Sequence, residues 1–215
     1  MTNLSFSILK QAALGVAFAT TSLCSMAATE FYYTSSPSSW VGAGQTVSVS
    51  PAQGFTITAS RNFDNGVSFA INNFASSPQS SLWWYLDLSA PFNAQLTVGN
   101  YENATRWPFQ IDSSPGLDFS GNGRGNNTLT GKFSVLEATY APSGAVTVFA
   151  ADFQQYDEGI SGWWNSGAIR YNSDIAISVP EPMTQTLLIA GLIAIWTVSR
   201  RRNLAELFAK LVHWS

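Results

Sequence analysis

The chain has 215 residues, 46% of them hydrophobic and only 11% charged, and a net charge of −3; it can build a core and carries no basic footprint for nucleic acid. Its one cysteine, Cys24, and its one histidine, His213, lie close to the two ends. That excludes a cysteine nucleophile, a Ser-His-Asp triad and a His- or Cys-ligated metal from the middle of the chain.

Residues 1–27 read as a secretory signal peptide. Lys10 is the only charge before Glu30, and an apolar stretch follows over 12–19. Ser25-Met26-Ala27 then places small side chains where signal peptidase needs them, so cleavage is expected between Ala27 and Ala28. Leu23, not a small residue, precedes Cys24, which argues against a lipoprotein signal. Cys24 leaves with the signal peptide.

Residues 28–178 carry five basic and eleven acidic residues and no cysteine, so no disulfide can staple them. Apolar and polar residues alternate with period two, as in half-buried strands. Strands are expected at 47–50, 55–60, 67–72, 82–89, 94–98, 132–140, 145–153, 168–172 and 174–178. Turn clusters separate them, among them Asp64-Asn65-Gly66 and Pro142-Ser143-Gly144. No amphipathic helix interrupts them. This spacing predicts an all-β, antiparallel β-sandwich or jelly-roll-like domain.

The centre of this domain is distinctive. It contains Arg106-Trp107-Pro108-Phe109, then Gly121-Asn122-Gly123-Arg124-Gly125-Asn126, and later Ala150-Ala151-Asp152-Phe153 and Glu158-Gly159. On these residues the domain resembles a family of secreted bacterial β proteins of unassigned function. The resemblance implies a cysteine pair at the positions of Asn126 and Asp157, a plausible disulfide that this chain lacks. The loop it would tether must then be held by hydrogen bonds and packing.

The C-terminal part begins with Val179-Pro180-Glu181-Pro182, continues in an apolar run over 183–199 and meets Arg200-Arg201-Arg202. Seventeen helical residues would span about 26 Å, enough for a short transmembrane helix. The arginines would stay on the cytoplasmic side. These three parts together, over 179–202, resemble the PEP-CTERM sorting signal. The resemblance implies processing by an exosortase in a Gram-negative bacterium that makes extracellular polysaccharide. It also implies an inner-membrane precursor and a product at the cell surface or outside the cell. Residues 203–215 continue past the usual end of such signals as a short amphipathic cytoplasmic tail, with Leu204, Leu207, Phe208 and Leu211 on one face.

Three groups of residues are candidates for a site. Trp83 and Tyr85 should point away from the core if Trp84 points in, and exposed aromatics beside polar groups can stack on sugar rings. Trp163 is a third aromatic of this kind, since Trp163-Trp164 in an extended backbone would place one indole on each side. Arg106 and Arg124 are two of five cations in the domain; an ion pair with Asp118, Asp152 or Glu158 could pin the glycine-rich loop, or the two could bind an anionic sugar. Asp152, Asp157 and Glu158 could supply the acid and base of a glycosidase, the weakest reading. Asp118, Asn122 and Asn126 could hold a structural calcium, but their spacing matches no calcium loop, and a turn in which glycine supplies positive φ explains the segment better. No other cofactor is expected. The resulting expectation is a non-catalytic matrix or surface protein, with a carbohydrate-binding module as the alternative.

Overall fold

The computed structural model describes residues 27–178 and 191–196. Ten strands make up the fold: β1 (Ala28–Ser35), β2 (Thr46–Val49), β3 (Thr56–Arg61), β4 (Val67–Asn72), β5 (Trp83–Ser89), β6 (Gly99–Arg106), β7 (Gly116–Gly121), β8 (Leu129–Tyr140), β9 (Val146–Asp157) and β10 (Trp164–Ser173). Two single-turn 3-10 helices and a helical stretch at 191–196 are the only helices among the described residues. The domain is all-β. No helix of the described residues is long and apolar enough to cross a membrane. Residues 1–26 of the signal segment, the sorting residues Val179, Pro180, Glu181, Pro182, Arg200, Arg201 and Arg202, and the tail 203–215 lie outside the described residues.

The alternating patterns form strands because one face of each can be buried. On β4, Val67, Phe69 and Ile71 are buried, with Ser68, Ala70 and Asn72 on the other face. On β5, Trp84, Leu86 and Leu88 enter the core. All ten strands join one sheet, in the order β2-β1-β10-β9-β8-β6-β7-β5-β4-β3. The sheet curls, so that Phe31 of β1 meets Trp84 of β5 at 6.2 Å and Phe119 of β7 at 5.9 Å between ring centroids. Phe69 of β4 meets Phe149 of β9 at 5.4 Å. The core lies between the two flanks brought together in this way. Gln155 of β9 clamps them: fully buried, it accepts from Phe119 N at 2.7 Å and donates to Phe119 O at 2.9 Å.

Several expectations need correction. The sheet is mixed, not purely antiparallel, because β6 and β7 pair in parallel through Thr105 with Gly116 and Arg106 with Leu117. The loop between them carries the chain back before β7 starts, so both strands run the same way. Strands β1, β6 and β7 were not expected. Conversely, 94–98 and 174–178 are irregular. Around 94–98 side chains replace strand partners: the Tyr140 hydroxyl donates to Leu96 O and the Tyr101 hydroxyl to Thr97 O, each at 2.9 Å. In 174–178 the carbonyls of Ile175 and Ala176 accept from the buried Arg170 guanidinium at 3.0 and 3.4 Å.

Candidate functional site

The outer face of β4, β5 and β7 gathers the most chemistry. Strand register sets Trp83 beside Asn72, Tyr85 between Ala70 and Ser120, and Asp87 between Ser68 and Asp118. Period two on β5 forces this row once Trp84, 2% exposed, is fixed in the core. Trp83 is half-buried and Tyr85 is 46% exposed; their rings lie 5.5 Å apart and tilted. They form a short aromatic ledge with polar neighbours. The backbone under it is held by Asn122, whose Oδ1 accepts from Trp83 N at 2.9 Å.

One register step further the face is closed over. Asp87 is only 7% exposed, beside Asn62 and Asp64 of the 62–66 loop, which the 107–112 loop adjoins. Asp64, also buried, ties those loops together: it accepts from Gly66 N, the Trp107 indole at 3.0 Å and the Gln110 amide at 3.1 Å. The Ser68 hydroxyl contacts both Asn62 and Asp87. Burial pushes the Asp87 carboxyl up to about 7, against the pull of Ser68, and the Asp118 charge adds to the rise. Burial raises Asp118 to about 6, while the Arg106 cation pulls the other way.

A second centre lies around the last residue of β9. Asp157 is fully buried and accepts five hydrogen bonds. Oδ2 takes Ser39 Oγ at 2.7 Å and Val41 N at 3.0 Å; Oδ1 takes Asn165 Nδ2 at 2.8 Å, Asn126 Nδ2 at 3.0 Å and Gln155 Nε2 at 3.3 Å. These are charge-assisted bonds to a carboxylate, the strong kind. They unite the 36–45 loop, the 122–128 loop, β9 and β10. No family model, curated protein or solved structure matches the chain. Asn126 and Asp157, the positions at which the resemblance implies cysteines, nevertheless touch through a side-chain hydrogen bond.

The remaining candidates scatter. The only ion pair among the described residues joins Asp152 to Arg170 at 2.8 Å, so neither Arg106 nor Arg124 forms the expected one, although Arg106 lies near enough to Asp118 for its charge to act on it. Arg106 does tie down the glycine-rich loop, but by donating to Asn127 O at 3.0 Å. Arg124 lies over the Trp40 ring at 5.8 Å. Glu158, in the turn after β9, accepts from Asn127 N at 2.7 Å and from Thr128 N and Oγ1, which lowers its pKa. The loop is therefore pinned by carboxylate-to-backbone bonds. Gly121 and Arg124 exchange backbone bonds around Asn122 and Gly123, both at positive φ, a hairpin turn of the I′ kind.

Asp152, Asp157 and Glu158 do not assemble into an acid–base pair. Asp157 is sealed in the interior, Asp152 is engaged by Arg170, and Glu158 holds backbone. Asp118, Asn122 and Asn126 do not converge either: Asn122 supports β5, Asn126 faces Asp157, and Asp118 lies on the outer face. Trp163 sits in a bend before β10, its carbonyl accepting from Asp157 N at 2.8 Å, so Trp163 and Trp164 are both half-buried, not split inside and outside. It lies on the flank opposite β5 and does not extend the Trp83–Tyr85 ledge. Asp64 and the loops it joins were invisible to sequence reasoning, which read Asp64-Asn65-Gly66 only as a turn.

Proposed function

We propose that this is an exported, non-catalytic protein of the cell surface or extracellular matrix, associated with exopolysaccharide. The proline-glutamate-proline motif, apolar run and arginine cluster support export, membrane anchoring and exosortase sorting. The curled sheet is read as a sandwich of the jelly-roll-like type, supported by the packing of one flank on the other. Replacing Pro180-Glu181-Pro182 by alanines should leave export intact and block processing, with full-length protein accumulating in the inner membrane. Release at the normal rate would show that these residues are not the signal.

The Trp83–Tyr85 ledge favours a second reading, a carbohydrate-binding module. A tilted pair of partly exposed rings with Asn72 and Ser120 alongside offers an aromatic face for stacking and hydrogen bonding to a sugar. Trp83→Ala should cost less than about 1 kcal/mol of stability and weaken polysaccharide binding about tenfold. Trp84→Ala, by contrast, empties the centre of the core and should unfold the domain. Thermal melting and affinity electrophoresis of both variants separate packing from binding. Unchanged retardation of Trp83→Ala would remove the ledge as a sugar site and leave the structural reading.

A further inference from the structure

The 62–66 and 107–112 loops and the 91–93 turn beside them carry the most exposed large apolar side chains of the domain. Phe63 is 80% exposed, Phe92 73%, Phe109 71% and Ile111 68%. They come from three segments, but these segments form one unit. Asp64 binds Trp107 and Gln110, the Asn65 amide donates to Asn93 O at 2.7 Å, and Phe92 N donates to Asp112 O at 2.6 Å. Phe63 touches the Trp107 ring at 5.9 Å, and the Arg106 guanidinium lies over Phe109 at 4.7 Å.

Two features separate this cluster from scattered surface apolar residues. Phe92 and Asn93 both have left-handed backbones, with φ of 59° and 53°. A bulky aromatic is rarely found there, and here the conformation leaves the ring in solvent. The side chains also stand largely in solvent, so an occupant must receive them. Arg61 is exposed one residue before the loop, and Arg106 flanks it; Asp64 is buried, leaving Asp112 as the exposed carboxylate of these loops. Without Arg61, Asp64, Arg106 and Asp112, the rest of 28–178 carries nine carboxylates against three cations.

We propose that Phe63, Phe92, Phe109 and Ile111 form a peripheral membrane-contact tip that inserts into a lipid surface bearing anionic headgroups. Protruding aromatic and aliphatic side chains enter the boundary between headgroups and acyl chains, and flanking arginines meet the anionic charge. A second copy of the chain fits less well, since two protruding tips offer each other no pocket. The tip acts independently of the sugar ledge and of any C-terminal anchor.

The test uses the full chain with Cys24→Ser and a single environment-sensitive dye, placed either at Ser113→Cys beside the tip or at Thr58→Cys on β3. The apolar C-terminal run can bring every variant to vesicles, so the readout is the contrast between dye positions, not total binding. Vesicles of phosphatidylcholine with phosphatidylglycerol should blue-shift the dye at 113 and leave that at 58 unchanged, and brominated lipid should quench only the former. Phe92→Ser should raise the lipid concentration for half-maximal shift about tenfold, with an unchanged melting temperature as the check on folding. High salt should weaken the response. A dye at 113 that stays silent, or responds no more than that at 58, overturns the proposal. So does a shift that needs no lipid and grows with protein concentration, which would assign the tip to a second copy.

Discussion

Asp157→Ala should destabilise the domain by about 3–5 kcal/mol, a loss typical of breaking a buried charged network. The carboxylate accepts from Val41 N, Asn126 Nδ2 and Asn165 Nδ2. Removing it leaves these buried donors unsatisfied, at about 1–3 kcal/mol each where water cannot enter. Ser39 and Gln155 retain second partners in Asn165 and Phe119 and should contribute less. Asp157→Asn keeps the shape but presents an amide where two acceptor oxygens are needed, so its cost should be intermediate. Asn126→Ala removes one donor and should cost the least, about 1 kcal/mol. Urea unfolding of the three variants checks the order. A loss below about 1 kcal/mol for Asp157→Ala would mean that water replaces the carboxylate and that the loops are held elsewhere.

The second large effect is a dependence of stability on pH. Asp87 has a folded-state pKa of about 7, raised from 3.8. A raised carboxyl pKa stabilises the fold fully only while the group is protonated in both states. That stability is lost as pH climbs from the unfolded value through the folded one. The wild-type domain should therefore weaken between about pH 4 and pH 7, by about 4 kcal/mol at most for Asp87 alone. Asp118, raised to about 6, works in the same direction and over the lower part of the window. Because the Asp118 charge is part of what raises Asp87, the two effects do not add in full. Asp87→Asn replaces the ionisable group with a neutral one of the same shape and can still accept from Ser68. At pH 8 it should be more stable than the wild type by a few kcal/mol, and its profile should be flatter. Denaturation midpoints from pH 4 to pH 8 test this. A wild type that gains stability over this range, or an Asp87→Asn profile parallel to it, would show that the outer-face carboxyls are solvated in the fold.

Where a strand has one buried face it could be read from the sequence. Val67, Phe69 and Ile71 on β4, and Trp84, Leu86 and Leu88 on β5, announce themselves by alternation. The same periodicity placed Trp83 and Tyr85 outside. Strand β6 escaped because Ala104 is its only buried residue, so its composition is that of a loop. Strand β7 carries the alternation of Leu117 and Phe119 with Asp118 and Ser120, but glycines at both ends resemble turn chemistry. Residues 174–178 alternate and still make no strand, because the cation of Arg170 takes their carbonyls. No local pattern announces the juxtaposition of Asp87 with Asp118, since it depends on β5 pairing with β7 after the chain has left the flank through β6 and returned. The meeting of Asn126 and Asp157 has no local signal either, since it depends on the 122–128 loop reaching the end of β9.

The pairing of β1 with β10 sets the order in which this molecule can form. The first strand lies inside the sheet, bonded to β2 on one side and to the last strand on the other. Until residues 164–173 are available, β1 and β2 have no strand partner in the rest of the sheet, only the bonds of their connecting loop to Asp157, and Phe31 is not aligned against Trp84 and Phe119 by strand pairing. Chain closure over this separation is entropically costly, and such topologies fold slowly. A nascent chain therefore stays incomplete until its final strand has emerged, and the segments awaiting partners are exposed meanwhile. Truncation before Trp164 should release β1 and β2 together, leaving β9 as a new unpaired edge open to association with other chains.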